Sequence, residues 1–440
     1  TPSLCSCSSR QASSSDCNPW QTLLIGSYAP ASEEGIRVYS FNQQTGESQW
    51  RSGLKGIDNP SFLTIADDGR RIYAVGENAK EQATVHLLLL NNAEGTLSLA
   101  DTKHVHEADP CHLSITPDST HLVTANYSGG SITIFPLRED GTLEEGQVET
   151  FTGNGPDSSR QEAAHLHCIY FSPDRKWLMA NDLGSDCIHM YPLAPDSPIG
   201  IDTTAERKVM VAPGSGPRHA VFDKEGRHLY LLNELKGDVV VWTYEEGELK
   251  QIQSIQADSV GARGSADIHL SPDGRYLYFC TAEAADNVIA SFDSVRYSIC
   301  RIEFNAQNHS FGNHVDTLYN ADLDGGSASF PRISPDGRWL CFTRSSYGNF
   351  SICHRDADLC MIDLNAYDSA DSVARYVKLD NANSSQVDSY HSWSSNSRWI
   401  VFSSKRDDAI YTKPYFAHIN ADGSVSKAFL LLQRDAPNLD

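Results

Sequence analysis

The sequence lacks several features that would assign it to a common class of protein. Of its 440 residues only 35 are Lys or Arg, against 57 Asp or Glu, which gives a formal net charge of −22. A surface this acidic repels phosphate backbones, so nucleic acid is not an expected partner. No apolar run approaches the ~18 residues that a membrane-spanning helix needs. The longest such run, at residues 85–90, has the length of a strand.

Recognisable cofactor and nucleophile motifs are missing as well. The 11 cysteines form no paired C-x-x-C motif for zinc and no dense disulfide framework. The segment HEADPCH at 106–112 holds metal-ligand residue types, but strand and turn geometry does not give it a compact tetrahedral set. No G-x-S-x-G elbow is present. The sequence therefore predicts no metal site, no cofactor and no covalent hydrolase mechanism.

Helical periodicity is also absent, and a repeat takes its place. A turn resembling Ser-Pro-Asp-Gly occurs seven times, at residues 66–69, 116–119, 172–175, 223–226, 271–274, 334–337 and 394–397. Short β-rich runs precede and follow each turn, and a third strand and usually a weaker fourth come next. Four short strands in every ~40–60 residues are typical of the blades of a β-propeller. The expected fold is therefore an all-β propeller of four-stranded blades.

The number of blades stays open at this point. Seven full repeat units follow three N-terminal strands, which gives either seven or eight blades. Residues 1–20 are rich in Ser and Cys and are expected to be a flexible tail that follows a removed signal or initiator Met. This leaves the compartment open between the bacterial cytoplasm and the periplasm or cell envelope.

The repeat changes character near residue 278. The turns are first spaced by 50, 56, 51 and 48 residues, and then by 63 and 60. At one position of the second strand, we align Asn126, Asn181 and Asn233 in the early units with Thr281, Arg344 and Ser404 in the later ones. The two changes together predict two kinds of blade in one propeller, over residues 21–278 and 279–440.

Residues ~20–278 resemble the propeller lactonase family, whose best-known activity is 6-phosphogluconolactonase. The matching phrases include DNPSFLTIADDGRRIYAVGE, PCHLSITPDSTHLVTANYSGGSITIFPL and GSGPRHAVFDKEGRHLYLLNEL. Residues ~279–440 instead resemble the TolB-like repeats of bacterial envelope proteins, in SFPRISPDGRWLCFTRSSYGNFSI and SYHSWSSNSRWIVFSSKRDDAIYTKPYF.

The lactonase resemblance implies a catalytic set of one His, one Glu and two Arg, which are His167, Glu234, Arg218 and Arg263 in this sequence. The physical case is coherent without it. An anionic lactone needs the bidentate donors of Arg, attack by water needs a base, and the oxyanion needs nearby donors. Glu234 or His167 is the candidate base, with Arg218 and Arg263 binding the anion.

Two further histidines, His112 and His219, are candidate substrate-binding residues because they follow the same pattern on strands expected to line the channel. Each candidate also has a structural interpretation. The histidines are equally typical of hydrogen-bonded channel residues, and Arg218 and Glu234 of ion pairs between blades.

Two functions of different classes are consistent with these patterns. The first is metal-independent hydrolysis of a small anionic sugar lactone, 6-phosphogluconolactone to 6-phosphogluconate, as in the pentose phosphate pathway. The second is a non-catalytic envelope propeller that binds a protein or glycan partner, with a protein partner expected at the C-terminal blades. Convergence of His167, Arg218, Glu234 and Arg263 on one mouth of the channel would favour the first.

Overall fold

A computed structural model of the chain describes residues 4–5, 18–194, 196–256, 269–282, 295–305, 310–348, 351–367 and 374–431. The strands of these residues form eight four-stranded sheets, and in each sheet the strands lie side by side in chain order. This up-and-down arrangement confirms the β-propeller fold. It also decides the number of blades, because the three N-terminal strands gain a fourth, Leu4–Cys5, from the segment expected to be a tail.

The chain divides into two compact units, the first made of residues 1–219 and 244–249 and the second of residues 220–243 and 250–440. Sheets 1 and 2 of the first unit are β1 (Leu4–Cys5), β2 (Trp20–Gly26), β3 (Ile36–Asn42) and β4 (Ser48–Leu54), then β5 (Leu63–Ile65), β6 (Arg71–Gly76), β7 (Thr84–Asn91) and β8 (Thr96–His104). Sheets 3 and 4 are β9 (Pro110–Ile115), β10 (His121–Asn126), β11 (Ser131–Pro136) and β12 (Gln147–Thr150), then β13 (Leu166–Phe171), β14 (Trp177–Asp182), β15 (Cys187–Pro192) and β16 (Arg207–Met210).

The boundary between the units falls within the residues of sheet 5, which is β17 (Pro217–Phe222), β18 (His228–Asn233), β19 (Asp238–Glu245) and β20 (Glu248–Gln256). Sheet 6 is β21 (His269–Leu270), β22 (Tyr276–Ala282), β23 (Tyr297–Asn305) and β24 (Ser310–Tyr319). Sheets 7 and 8 are β25 (Ser327–Ile333), β26 (Trp339–Ser345), β27 (Asp358–Asp363) and β28 (Tyr376–Lys378), then β29 (Asp388–Trp393), β30 (Trp399–Ser404), β31 (Lys413–His418) and β32 (Phe429–Leu430). The described helices are short, namely α1 (Ala321–Asp324) and the 3-10 turns Thr203–Ala205 and Ser351–Cys353.

The seven repeated turns have the backbone conformation that their sequence predicts. The fourth residue of every turn has a positive φ, between +59° and +77°, at Gly69, Ser119, Arg175, Gly226, Gly274, Gly337 and Ser397. In five of the turns a Ser or Thr hydroxyl at the first position donates to the carboxylate or amide at the third, as Ser172 does to Asp174 at 2.5 Å. These local hydrogen bonds fix the hairpins between the first and second strands of the sheets.

The hydrophobic core lies between the faces of neighbouring sheets. In the first unit, Tyr73 and Val85 of sheet 2 pack with Leu122 and Phe135 of sheet 3. In the second unit, Tyr278 of sheet 6 packs with sheet 7 in the same way. Strand alternation, with both faces of each sheet covered, explains why second strands such as β10 and β14 are buried along their whole length.

Strand pairing corrects one alignment made from the sequence. Asn126 ends β10 opposite Ser131, and Asp182 ends β14 opposite the equivalent Cys187. Asp182, and not Asn181, is therefore the counterpart of Asn126, because both lie ten residues after the first residue of their turn.

No helix in the described part of the chain has the length and apolar character needed to cross a membrane.

Candidate active site

The candidate site is built on the first strands of sheets 2 to 5. Five residues before each turn stand Ser61, Cys111, His167 and Arg218. Cys111 and His167 are extra residues at β-bulges, since the pairing of β9 with β10 skips from His112 to Pro110 and that of β13 with β14 skips from Cys168 to Leu166. A bulge turns the extra side chain away from the regular strand face, which is how sheets commonly present functional groups.

His167 lies among aromatic and cationic side chains. Its imidazole ring is 5.1 Å from that of His219 and 5.6 Å from the ring of Tyr127, edge-on to both. Burial, reinforced by the positive charge of Arg218 and by His219, holds the pKa of His167 well below its ordinary value. Its Nδ1 atom is buried and has no hydrogen-bond partner among the described residues. His167 is therefore a neutral imidazole whose buried Nδ1 has an unused hydrogen-bonding capacity.

Arg218 makes hydrogen bonds through both its guanidinium group and its main-chain carbonyl oxygen. Its Nη1 lies 3.3 Å from Nδ1 of His219, and because a guanidinium can only donate, Nδ1 of His219 accepts. The Nδ2 of the fully buried Asn181 donates to the carbonyl oxygen of Arg218 at 3.1 Å. Tyr170 in turn donates to Asn181 Oδ1 at 3.0 Å. These bonds fix the strand on which Arg218 stands.

The segment leading into Arg218 is fixed by the buried carboxylate of Asp186. Its oxygens accept from the backbone N–H groups of Gly214 at 2.6 Å and of Gly216 at 2.8 Å, and from Gln161 Nε2 at 2.9 Å. Both glycines have positive φ, +78° and +66°, a conformation that L side chains rarely adopt. The GSGP segment is thus a turn bound by a carboxylate.

His112 joins the same group of first-strand residues. Its ring contacts that of Phe62 with 4.6 Å between centroids. Burial lowers the pKa of His112 to about 4, and its Nδ1 has no hydrogen-bond partner within the described residues. His165, which alternates with His167, is instead engaged, because its ring stacks on Tyr127 and its Nε2 lies 3.2 Å from Glu162.

The structure brings together four of the six predicted side-chain positions, His112, His167, Arg218 and His219, in the first unit. Glu234 follows β18 in the second unit and is partly buried. Arg263 lies outside the described residues. Within the described residues, no group of three or more His, Cys, Asp or Glu side chains is arranged to hold a metal ion.

Two neighbours of this site were not selected from the sequence. Tyr127 contacts both His165 and His167, and the Cys111 Sγ lies 4.0 Å from the carbonyl oxygen of His167. Counting five residues back from each turn would have found Cys111. Counting eleven residues forward from the first residue of the turns at 66, 116 and 223 gives Glu77, Tyr127 and Glu234, which follow the second strands β6, β10 and β18.

Over residues 22–372, the sequence matches the family described as lactonase, 7-bladed beta-propeller. The chain belongs to this lactonase family. The match extends beyond residue 278, where the lactonase-like phrases end, and it contains most strands of sheets 1 to 7. The eighth sheet, β29–β32, lies outside it, which accounts for one sheet more than the family description gives.

Named relatives agree with this assignment. A 6-phosphogluconolactonase of Formosa agariphila is 30% identical over 341 residues, which cover 76% of this lactonase-family chain and 93% of that protein. A 6-phosphogluconolactonase of Bacillus subtilis is 31% identical over 284 residues, covering 62% and 78% of the two chains. The family match and these relatives confirm the predicted class of enzyme, a lactone hydrolase.

Solved structures are also similar. A candidate 6-phosphogluconolactonase of Bacteroides fragilis has 35% sequence identity and a TM-score of 0.61, covering 83% of this chain and 96% of its own. The periplasmic gluconolactonase of Pseudomonas aeruginosa has 26% identity and a TM-score of 0.58, covering 81% and 95%.

Proposed function

We propose that this lactonase hydrolyses 6-phosphoglucono-δ-lactone to 6-phosphogluconate at the site formed by His167, Arg218 and His219. One observation carries the proposal. Arg218 contacts His219, and the ring of His219 packs against the neutral His167. On a chain of net charge −22, such an arginine provides local positive charge for an anionic ligand. The names of the relatives support the choice of lactone.

In the proposed mechanism, water attacks the lactone carbonyl carbon and neutral His167 accepts a proton from it. Arg218 donates to the anion of the substrate and to the negative charge that develops on the carbonyl oxygen. The ring C–O bond then breaks, and the departing alkoxide takes the proton back from His167. The product is a hydroxy acid, which ionises to a carboxylate and releases one proton. Glu234, as an alternative base, and Arg263, as a second cation, stay predictions of the lactonase resemblance.

The test is pH-stat hydrolysis of freshly prepared 6-phosphoglucono-δ-lactone, corrected for spontaneous ring opening, with wild type and Arg218→Ala. Loss of an oxyanion or anion donor is expected to lower kcat/KM by about 100- to 1000-fold. The matched control is Arg138→Ala, because Arg138 is exposed and its guanidinium contacts the surface residues Glu144 and Thr142; this variant should keep wild-type activity. A folded wild type with no rate above background would overturn the proposal.

A further inference from the structure

We propose that Glu77 determines the specificity of this site by accepting hydrogen bonds from the hydroxyl groups of a polyhydroxylated lactone. This inference rests on the proposed function and concerns the part of the substrate away from the reacting carbonyl. It names the feature that would separate a sugar lactone from a simple aliphatic one.

The carboxylate of Glu77 is held by two hydroxyl donors from different chain segments. Tyr28 donates to Oε2 at 2.6 Å, and Ser61 donates to the same oxygen. Oε1 has no hydrogen-bond partner among the residues that the structure describes. Partial burial and the neighbouring Glu77 carboxylate raise the pKa of Tyr28, so its phenol keeps the proton that it donates. Glu77 thus presents a fixed, unshared acceptor oxygen.

The three segments that carry these groups are fastened by one residue, Asn59. Its backbone N–H donates to the carbonyl oxygen of Ala29 at 2.8 Å, next to Tyr28, and its carbonyl oxygen accepts from Ser61 at 2.8 Å and from Glu77 at 3.1 Å. Asn59 has a φ of +49°, a left-handed conformation that Asn tolerates better than most residues. Backbone hydrogen bonds of Asn59 therefore help to position the Glu77 carboxylate, in addition to the side-chain bonds from Tyr28 and Ser61.

A continuous line of contacts joins this acceptor to the proposed reaction site. Phe62, which follows Ser61, contacts His112, and the Sγ of the adjacent Cys111 lies 4.0 Å from the carbonyl oxygen of His167. Charges at both ends of this line affect the pKa of the Cys111 thiol. Burial and the charge of Glu77 raise the pKa of Cys111 to about 12, and the charge of Arg218 acts in the opposite direction. The charges of Glu77 and Arg218 thus act on one partly buried side chain of the first unit.

The chemistry of the two ends suits one orientation of a sugar lactone. The negative charge of Glu77 repels a phosphate or carboxylate, and Arg218 attracts it. A carboxylate oxygen accepts a charge-assisted hydrogen bond from a hydroxyl group, which is stronger than a bond between neutral partners. A site built around such a bond discriminates against an analogue without the hydroxyl, because the acceptor is left unpaired.

The experiment compares two substrates with Glu77→Gln, Tyr28→Phe and the control Glu81→Gln, in which an exposed nearby carboxylate is changed. One substrate is 6-phosphoglucono-δ-lactone, and the other carries the same phosphate but lacks the 2-, 3- and 4-hydroxyl groups. Glu77→Gln should raise the KM for the hydroxylated lactone by about 10-fold or more and leave the KM for the deoxygenated lactone unchanged. Tyr28→Phe should act in the same direction by about 3-fold, and Glu81→Gln should have no effect.

An equal effect of Glu77→Gln on both substrates would overturn the inference, because it would indicate a structural role. Failure of the proposed function is separated by calorimetric binding of 6-phosphogluconate and of 6-phosphooxyhexanoate, which carries the same anions without the hydroxyls. If wild type hydrolyses neither lactone but prefers 6-phosphogluconate, and Glu77→Gln abolishes that preference, the inference about Glu77 stands alone. Equal binding of the two compounds by wild type would refute it.

Discussion

First strands in both units contain β-bulges, but the bulges differ in position by one residue and present different side chains. In the first unit, the extra residues at the bulges of β9 and β13 are Cys111 and His167. In the second unit, β25 and β29 also contain one extra residue each, between Ser329 and Arg332 and between Ser389 and Ser392. There the bulges present aromatic rings, Phe330 and Tyr390, whose centroids are 4.6 Å apart.

The aromatic pair has a backbone cost that the first unit does not show at Cys111 or His167. Phe330 and Tyr390 have φ values of +54° and +51°, which are rare for bulky residues and cost about 1–2 kcal/mol each. Contact between the rings and their partial burial offset this cost. The comparison teaches that a bulge recurs near the same distance from the turn, while its backbone conformation and its side chains differ between the units. Those differences decide whether the bulge serves chemistry or packing.

Replacement of His167 should produce the largest effect that separates the units. His167→Gln keeps a polar side chain of similar reach but removes the imidazole, so loss of general-base catalysis should lower kcat by about 100-fold or more. Single-turnover and steady-state hydrolysis of 6-phosphoglucono-δ-lactone measure it. The control is His106→Gln, since His106 is half-exposed and pairs with Glu145 at the surface. Equal activity of the His167 and His106 variants would show that His167 is not the general base, and the first unit would then not differ from the second in this chemical role.

The fold was predictable because its signal is local and repeated. Each Ser-Pro-Asp-Gly-like turn has a left-handed fourth residue, and five of the seven add a hydrogen bond from a hydroxyl to a carboxylate or amide. Seven such turns along the chain specify blades. The number of blades does not follow from the sequence, because the first strand of sheet 1, Leu4–Cys5, is too short and too distant from its partner to show a pattern.

The candidate site was only partly predictable from sequence. His167 and Arg218 could be located from their motifs, but the bond between Asn181 and the Arg218 carbonyl joins residues 37 positions apart. The alignment of Asn181 with Asn126 was wrong by one residue. It matched the Ala-Asn pairs of TANY and ANDL, although the two Asn residues lie at different distances from their turns. The contacts of Tyr28 with Glu77 span 49 positions, and no repeat relates those two residues.

A second test concerns the aromatic pair of the other unit. Phe330→Ala should lower the free energy of unfolding by about 2–3 kcal/mol, because a partly buried ring is lost, while hydrolysis per folded molecule changes by less than about 2-fold. Urea unfolding of Phe330→Ala, Tyr390→Ala and the double variant gives the coupling between the rings, expected at about 0.5–1.5 kcal/mol.

The control for that series is Tyr411→Ala, because the Tyr411 side chain is 70% exposed and its removal should change stability by less than about 0.5 kcal/mol. If Phe330→Ala remains folded but loses hydrolysis, the bulges of both units serve the reaction. The division between chemistry and packing would then be wrong.

The smallest expected effect is an acid sensitivity located in the first unit. Burial lowers the pKa values of His86 and His112 to about 4. In the unfolded chain both histidines titrate near ~6.5, so between these values the unfolded state binds more protons and stability falls as the pH falls. Urea unfolding should show a loss of about 1–2 kcal/mol from pH 7.5 to pH 6 for the two histidines together, and His112→Gln should reduce that loss. Because both histidines lie in sheets 2 and 3, amide exchange at pH 5 should rise there before it rises in sheets 7 and 8. If amide exchange rose first in sheets 7 and 8, the acid-sensitive step would lie in the second unit. That result would contradict the expected difference between the two units.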